Sequence, residues 1–390
     1  MHLLIVTSEH YLPFYNHLSG IFQHHQALAL VSAGYQVGIL STGTIPYLFV
    51  LSKYPYKPFE KNGSIIIVRK YIRRAIPKKI TPLNRVIDIE SSIGNDAFKE
   101  YIEYAGKPDI IHAHNVHYAG IVAAAISEKY NIPFLVTEHS SAYADKSFTK
   151  NELRLAFEVF QKASIVSAVS KNFAELIQKT VTFPVNKTEI IPNVLDPSFE
   201  LKNVSQRKSD PFVFLNIASL NANKDHSTLL NAFSVSFKNK NVVLRIGGDG
   251  PLVKKLKKLA ILLDIEKQVN LLGKLSRDQV KKEMSQSNCF VLSSKYETFG
   301  VVLIEALACG NPLVATSCGG PEDIVNKENG ILVSPGDIIG LAKAMDNVYN
   351  NYQEFDLQKL SNDCITSYGL SAFQEKLTSL YKRILCDSRT

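Results

Sequence analysis

The sequence has no tryptophan, three methionines and five cysteines among its 390 residues. Without tryptophan, any aromatic platform for a sugar ring or a base must come from the 17 tyrosines and 20 phenylalanines. The cysteines, Cys289, Cys309, Cys318, Cys364 and Cys386, are odd in number and show neither C-x-x-C spacing nor a histidine pair of zinc type. They read as reduced thiols of a cytosolic protein. Long apolar runs are missing as well. The best stretch, 110–126, is interrupted by His112, His114, Asn115 and His117, short of the roughly 18 apolar residues a membrane helix needs. The first residues, Met1-His2-Leu3-Leu4-Ile5-Val6-Thr7, carry no basic stretch and the apolar run stops at Thr7, so a buried strand is expected there, not a signal peptide.

What is present is ordinary for packed cores: 45% hydrophobic and 21% charged residues, in a length that suggests two domains. Disordered and fibrous classes are excluded. Short β-rich runs alternate with helix-period segments, the pattern of a doubly wound α/β chain. The first unit is a strand at 2–7, a polar loop to Gly20, a helix at 21–33 closed by Gly34, and a strand at 35–40. Further strands are expected at 65–68, 109–113, 134–137 and 165–168. Between Asn193 and Pro211 periodicity lapses. It resumes with strands at 212–218, 242–246, 269–272, 289–292 and 313–315, separated by helices at 225–237, 252–263, 277–285 and 300–308. The expected division is a first domain at 1–198, a linker at 199–211, a second domain at 212–365, and a C-terminal helix in 366–390 that packs back on the first. The loop after the first strand has no G-x-G-x-x-G, which argues against a dinucleotide enzyme.

The most informative segment runs from Ser293 to Gly310. A strand ends, Gly300 opens a helix, and the amides of Val301 and Val302 point from that helix N-terminus, an anion site suited to a diphosphate. Glu305 lies one turn on, within an apolar run where an unpaired carboxylate is costly. It needs donors: a neighbouring backbone, a buried arginine, or the two hydroxyls of a ribose. Glu297 precedes the helix and is placed to reach whatever extends beyond the phosphates. The three histidines in 112–117 have no carboxylate or cysteine at ligand spacing, so no metal is expected.

With Glu297-x-Phe299-Gly300-x-x-x-x-Glu305-Ala306, the sequence resembles the family-four retaining glycosyltransferases of the GT-B fold. The likeness extends to Pro108–His114, Thr137–Ser140, Ile191–Val194, Gly248–Pro251, Gly319–Asp323 and Asn329-Gly330. It implies two Rossmann-like doubly wound domains facing an interdomain cleft, an acceptor-side first domain and a nucleotide-sugar-binding second one. It further implies that Glu305 binds the ribose, that Glu297 contacts the donor sugar, and that Phe299, Gly300, Val301 and Val302 hold the diphosphate. Gly20 lets backbone approach the sugar and phosphates, and His139 lies by the reacting sugar. The family's phosphate clamp is an arginine followed five residues later by a lysine. Lys224 matches the lysine, but Ser219 stands in the arginine's place.

The resemblance implies transfer from a UDP- or GDP-linked sugar to a glycan, lipid-linked in the expected case, in polysaccharide or surface glycan biosynthesis, with no metal and no cofactor. An inactive partner subunit and a nucleotide-sugar epimerase are the competing readings. Net charge is +8, and ten basic residues against one acidic residue crowd into 53–85. Arg69, Lys70, Arg73, Arg74, Lys78 and Lys79 are therefore expected to face the acceptor or an anionic membrane, which would place the enzyme on the inner face of the plasma membrane. No nucleic-acid motif accompanies the charge.

Overall fold

The protein is described by a computed structural model covering residues 1–11, 20–46, 57–74, 81–182, 188–201, 203–204 and 210–387. Its contacts divide the chain into two units, Met1–Val194 with Phe373–Thr390, and Leu195–Ala372.

The first unit is built on β1 (His2–Thr7), β2 (Gln36–Pro46), β3 (Phe59–Asn62), β4 (Ile65–Arg74), β5 (Ile110–His114), β6 (Phe134–Glu138), β7 (Ile165–Ala168) and β8 (Thr188–Ile190). Their order in the sheet is β3-β4-β2-β1-β5-β6-β7-β8, parallel throughout except for the β3–β4 pair. All residues of β1, β5, β6 and β7 are buried, which is what central parallel strands covered on both faces require. The helices are α1 (Ile21–Ser32), α2 (Leu83–Ala105), α3 (Ile121–Tyr130), α4 (Lys150–Lys162) and α5 (Lys171–Val181). α4 begins with a capping box between Thr149 and Glu152, which satisfies two backbone amides that the first turn leaves open.

The second unit is a six-stranded, all-parallel sheet of β9 (Phe212–Ile217), β10 (Val242–Gly247), β11 (Val269–Gly273), β12 (Cys289–Leu292), β13 (Leu313–Thr316) and β14 (Gly330–Val333). Its order, β11-β10-β9-β12-β13-β14, reverses direction between β9 and β12. Loops leaving the carboxyl ends of such neighbouring strands diverge, and ligands of open α/β sheets gather in the crevice between them. The helices are α6 (His226–Phe237), α7 (Val253–Leu262), α8 (Arg277–Gln286), α9 (Val301–Ala308), α10 (Ile338–Asn350) and α11 (Leu357–Tyr368). Phe214, Phe233, Phe237, Leu244, Val291 and Met345 are fully buried in one core between sheet and helices.

Residues after Val194 belong to the second unit: Phe199 is fully buried, and the Val204 amide donates to Gln358 Oε1 at 2.8 Å. The last helix, α12 (Leu370–Asp387), returns to the first unit from Phe373 onward. There Tyr35 Oη donates to Thr378 Oγ1 at 3.2 Å and Gln374 Nε2 to the Ala29 carbonyl at 2.6 Å.

Candidate active site

In the second unit, the β9–α6 loop and the β12–α9 loop leave the two strands where the sheet order reverses. They are tied together. The Lys295 amide donates to the Asn223 carbonyl at 2.7 Å, Asn223 Nδ2 to the Tyr296 carbonyl at 3.0 Å, and Ser293 Oγ to the Lys224 carbonyl at 2.9 Å. A fourth contact joins the charged groups: Lys224 Nζ lies 2.6 Å from Glu297 Oε1, which also accepts from Ser294 Oγ at 2.6 Å. Glu297 Oε2 makes no hydrogen bond among the described residues.

Gly300 precedes α9 with φ +97°, a left-handed conformation that turns the chain from loop into helix and supplies no side-chain cap. The Val301 and Val302 amides are first-turn donors without an acceptor in their own helix. Phe299 is buried beneath them, 1% exposed, its ring edge-on to Tyr368. The Gly319-Gly320-Pro321 turn packs on this backbone, with Gly319 bridging to Glu297 and the Gly320 amide donating to the Glu297 carbonyl at 2.8 Å. A Cβ on Gly320 would stand 2.2 Å from Phe299 Cα, backbone that cannot yield cheaply. Gly320→Ala is therefore expected to displace the Glu297–Gly300 turn. The measurable outcomes are a donor KM raised about tenfold and a loss of about 1–3 kcal/mol in denaturant unfolding. An unchanged KM would show that the turn does not hold the site.

Glu305 is 4% exposed. Of the partners it could have, the structure supplies an arginine: Arg277 Nη2 donates to Glu305 Oε1 at 2.7 Å and to Asp196 Oδ2 at 2.9 Å. The guanidinium lies 4.6 Å from the centre of the Phe199 ring. Burial raises the Glu305 carboxyl above the usual range, and Arg277 opposes that without cancelling it. Burial alone would lower Arg277, but Glu305 and Asp196 outweigh it and hold the guanidinium above its ordinary value. Glu305 Oε2 has no hydrogen-bond partner among the described residues.

Arg277 and Asp196 were not singled out in the sequence. Arg277 is the residue after the Ser276 cap of α8, and Asp196 sits in the segment where periodicity lapses, so neither had a local signal. Ser219 is exposed on the β9–α6 loop, and Lys295 is exposed on the other.

In the first unit, Gly20 has φ +73° at the start of α1, and a Cβ there would meet Tyr11 Cδ2 at 2.9 Å. His139 follows β6, partly exposed, with its amide held by Asn115 Oδ1 at 2.8 Å and its Nε2 3.0 Å from His114 Nδ1. Among the described residues no three His, Cys, Asp or Glu side chains are arranged to hold a metal ion.

The expectation for Arg69 is corrected. It is 4% exposed, donates from Nε to the Tyr11 carbonyl at 3.1 Å and from Nη1 to the Lys57 carbonyl at 3.2 Å, and its Nη2 pairs with Glu60 at 2.9 Å. A guanidinium spent this way inside the unit is not presented to a membrane. Lys70 pairs with Glu100 at 2.5 Å. Arg73 and Arg74 end β4, but their side chains, and Lys78 and Lys79 entirely, lie outside the described residues.

Residues 20–199 match the family described as Glycosyltransferase Family 4, and residues 198–366 match Glycosyl transferases group 1. An uncharacterized glycosyltransferase of Haemophilus influenzae is 30% identical over 261 residues, 65% of this chain and 70% of that protein. The N-acetyl-alpha-D-glucosaminyl L-malate synthase of Bacillus anthracis is 27% identical over 297 residues, 72% of this chain and 74% of the synthase. In fold, the chain is similar to sucrose-phosphate synthase from Thermosynechococcus elongatus, with a TM-score of 0.78 at 19% identity over 99% of this chain and all of that one. Matched in both halves and built on two parallel α/β sheets of the GT-B kind, the chain belongs to the group 1, family-four glycosyltransferases.

Proposed function

We propose that this glycosyltransferase moves a sugar with retention of configuration from a UDP- or GDP-linked donor to a glycan acceptor, without metal or cofactor. The observation that carries the reading is the Lys224–Glu297 pair on the loops that lead into α6 and α9, with first-turn amides of α9 that have no acceptor in their own helix and the buried carboxylate of Glu305 one turn further along. As the bond from sugar to diphosphate opens, negative charge grows on the leaving group. On this reading Lys224 and the Val301 and Val302 amides meet that charge, and no metal is needed. Glu305 Oε2 is open to accept from a ribose hydroxyl, and Glu297 Oε2 from a sugar hydroxyl. His139 is assigned to the transferred sugar.

The test is a panel of nucleotide sugars scored for diphosphate release, with and without lipid-linked glycans. Release with one donor that falls about 100-fold or more in both Glu305→Ala and Lys224→Ala supports the assignment; near wild-type turnover in both overturns it. The competing reading, an inactive partner subunit, is favoured by Ser219 where the family has arginine. Failure to bind any nucleoside diphosphate by calorimetry would favour it.

For the acceptor, the basic segment supports a lipid-linked glycan in a surface glycan pathway, with the cytoplasmic leaflet as docking surface. With Arg69 buried and Lys70 paired with Glu100, the charges assigned to carry this are Arg73, Arg74, Lys78 and Lys79. Neutralising these four is expected to reduce pelleting with vesicles rich in anionic lipid by about tenfold or more, at roughly 1 kcal/mol per charge. Unchanged pelleting would remove the membrane from the proposal.

A further inference from the structure

We propose that His114 is a positioning residue that fixes the tautomer of His139, so that the outward ring nitrogen of His139, Nδ1, is a hydrogen-bond donor and not a base. The catalytic consequence rests on the assignment of His139 to the sugar; the tautomer itself does not.

The argument begins with register. β5 and β6 pair in parallel with His114 opposite Thr137, so His139, two residues on, follows just past the level at which β5 ends. His112, His114 and His139 form a stack, with centroids 4.4 Å apart for the first pair and 5.2 Å for the second, and interplanar angles of 23° and 21°. The first ring is fully committed: His112 Nδ1 lies 2.7 Å from Tyr381 Oη, and His112 Nε2 lies 2.7 Å from Thr137 Oγ1. Thr137 Oγ1 is in turn 2.5 Å from Ser167 Oγ.

His114 is different. It is 0% exposed, its Nδ1 faces His139 Nε2 at 3.0 Å, and its Nε2 is buried with no hydrogen-bond partner among the described residues. Burial lowers the pKa of His139 to about 4 and that of His114 well below its ordinary value, so each ring is neutral near pH 7 and carries one proton. Were that proton on His114 Nε2, an N–H would be buried with no acceptor. Placed on Nδ1, it leaves only a bare lone pair, and orphaned buried N–H groups are the rarer and costlier defect. The proton is therefore on Nδ1, and His114 donates to His139 Nε2. His139 Nε2 is an acceptor, and its own proton must sit on Nδ1.

His139 Nδ1 has no hydrogen-bond partner among the described residues and is not among the fully buried atoms. An N–H fixed there donates to an oxygen of the substrate, a hydroxyl or a phosphate oxygen, and takes no proton from an attacking hydroxyl. The orphaned lone pair on His114 is the cost of setting that direction.

The full chain labelled with 15N-histidine is examined at pH 7.5 by long-range 15N–1H correlation, with the His139 signals assigned by their loss in His139→Gln. A protonated Nδ1 and a bare Nε2 on His139 are expected, and the opposite tautomer overturns the proposal whatever the enzyme's substrate. His114→Leu removes the donor, and kcat is expected to fall about 10- to 100-fold with donor KM changed less than about twofold. In His114→Asn, Nδ2 takes the place of the ring Nδ1–H, and kcat should stay within about fivefold of wild type. Stability should run the other way, because Asn buries an amide oxygen without a donor and Leu does not. Activity that follows stability, with Leu above Asn, assigns His114 to packing alone and overturns the proposal. A donor tautomer in a chain that turns over no nucleotide sugar would leave the positioning intact and overturn the functional reading.

Discussion

Replacing Arg277 by methionine is expected to cost the protein about 3 kcal/mol at pH 8, more than any other single change at the site, because it strands a carboxylate that is 4% exposed. Arg277 is the charged partner of both Glu305 and Asp196. Methionine keeps an apolar stem of similar length and removes the guanidinium, together with its contact with the Phe199 ring. The pH dependence has a definite sign. Burial already places the folded-state carboxyl of Glu305 above its unfolded value, so the folded protein binds that proton more tightly. Such a group contributes its stability below the unfolded pKa and loses it as pH rises through the folded one. Without Arg277 the folded value rises further, so the deficit is largest at pH 8 and shrinks toward pH 5. Adding Glu305→Gln to the variant removes the stranded charge and should recover most of the loss. Denaturant unfolding at both pH values decides the matter. An equal deficit at pH 5 and pH 8, or no recovery in the double variant, would mean that the pair is not what the site depends on.

That pair marks where the sequence stops being readable. Glu305 could be recognised as a carboxylate needing a partner, because an acid in Leu303-Ile304-Glu305-Ala306-Leu307 contradicts its surroundings. Which partner could not be recognised, because Arg277 comes from the start of α8 and Asp196 from a segment without periodicity. The strands were legible for a different reason. β1, β7, β9 and β12 are runs of four to six residues, mostly buried and rich in apolar side chains, and composition alone gives their type and nearly their ends. Within the basic segment, Arg69 misled. The segment's alternation of Ile65–Val68 with Arg69–Arg74 belongs to one long strand, β4, paired with β2 along its whole length, so Arg69 turns inward and Lys70 finds Glu100 on α2. α2 itself, 23 residues long, carries Glu90 and Gly94 on its buried side and so lacked a clean apolar stripe. Gly319-Gly320 was legible as a motif but not as a cause; the cause is the backbone of Glu297–Phe299 packed against it.

Lys224→Met is expected to reduce kcat/KM by about 100- to 1,000-fold, with most of the effect in kcat. On the proposed reading, leaving-group charge must be met by cations and amides already in position. The position of Lys224 is enforced: its carbonyl is held by Ser293, its neighbour Asn223 by Lys295 and Tyr296, and its ammonium by Glu297. Lys295 is exposed on its loop, and Ser219 brings no charge. Methionine retains the stem, so packing changes little, and Ser294 still donates to Glu297. Two controls separate charge from structure. Glu297→Gln keeps Lys224 charged but unpaired, so nucleoside diphosphate should bind at least as tightly while transfer falls. Ser219→Arg, on an exposed loop, restores the guanidinium that the family has there; added to Lys224→Met it should recover about tenfold of the lost diphosphate affinity through a bidentate phosphate contact. Wild-type kcat/KM in Lys224→Met would end the assignment. Recovery by Ser219→Arg would identify the departure from the family pattern as one lost phosphate contact, borne here by Lys224 and the amides of α9.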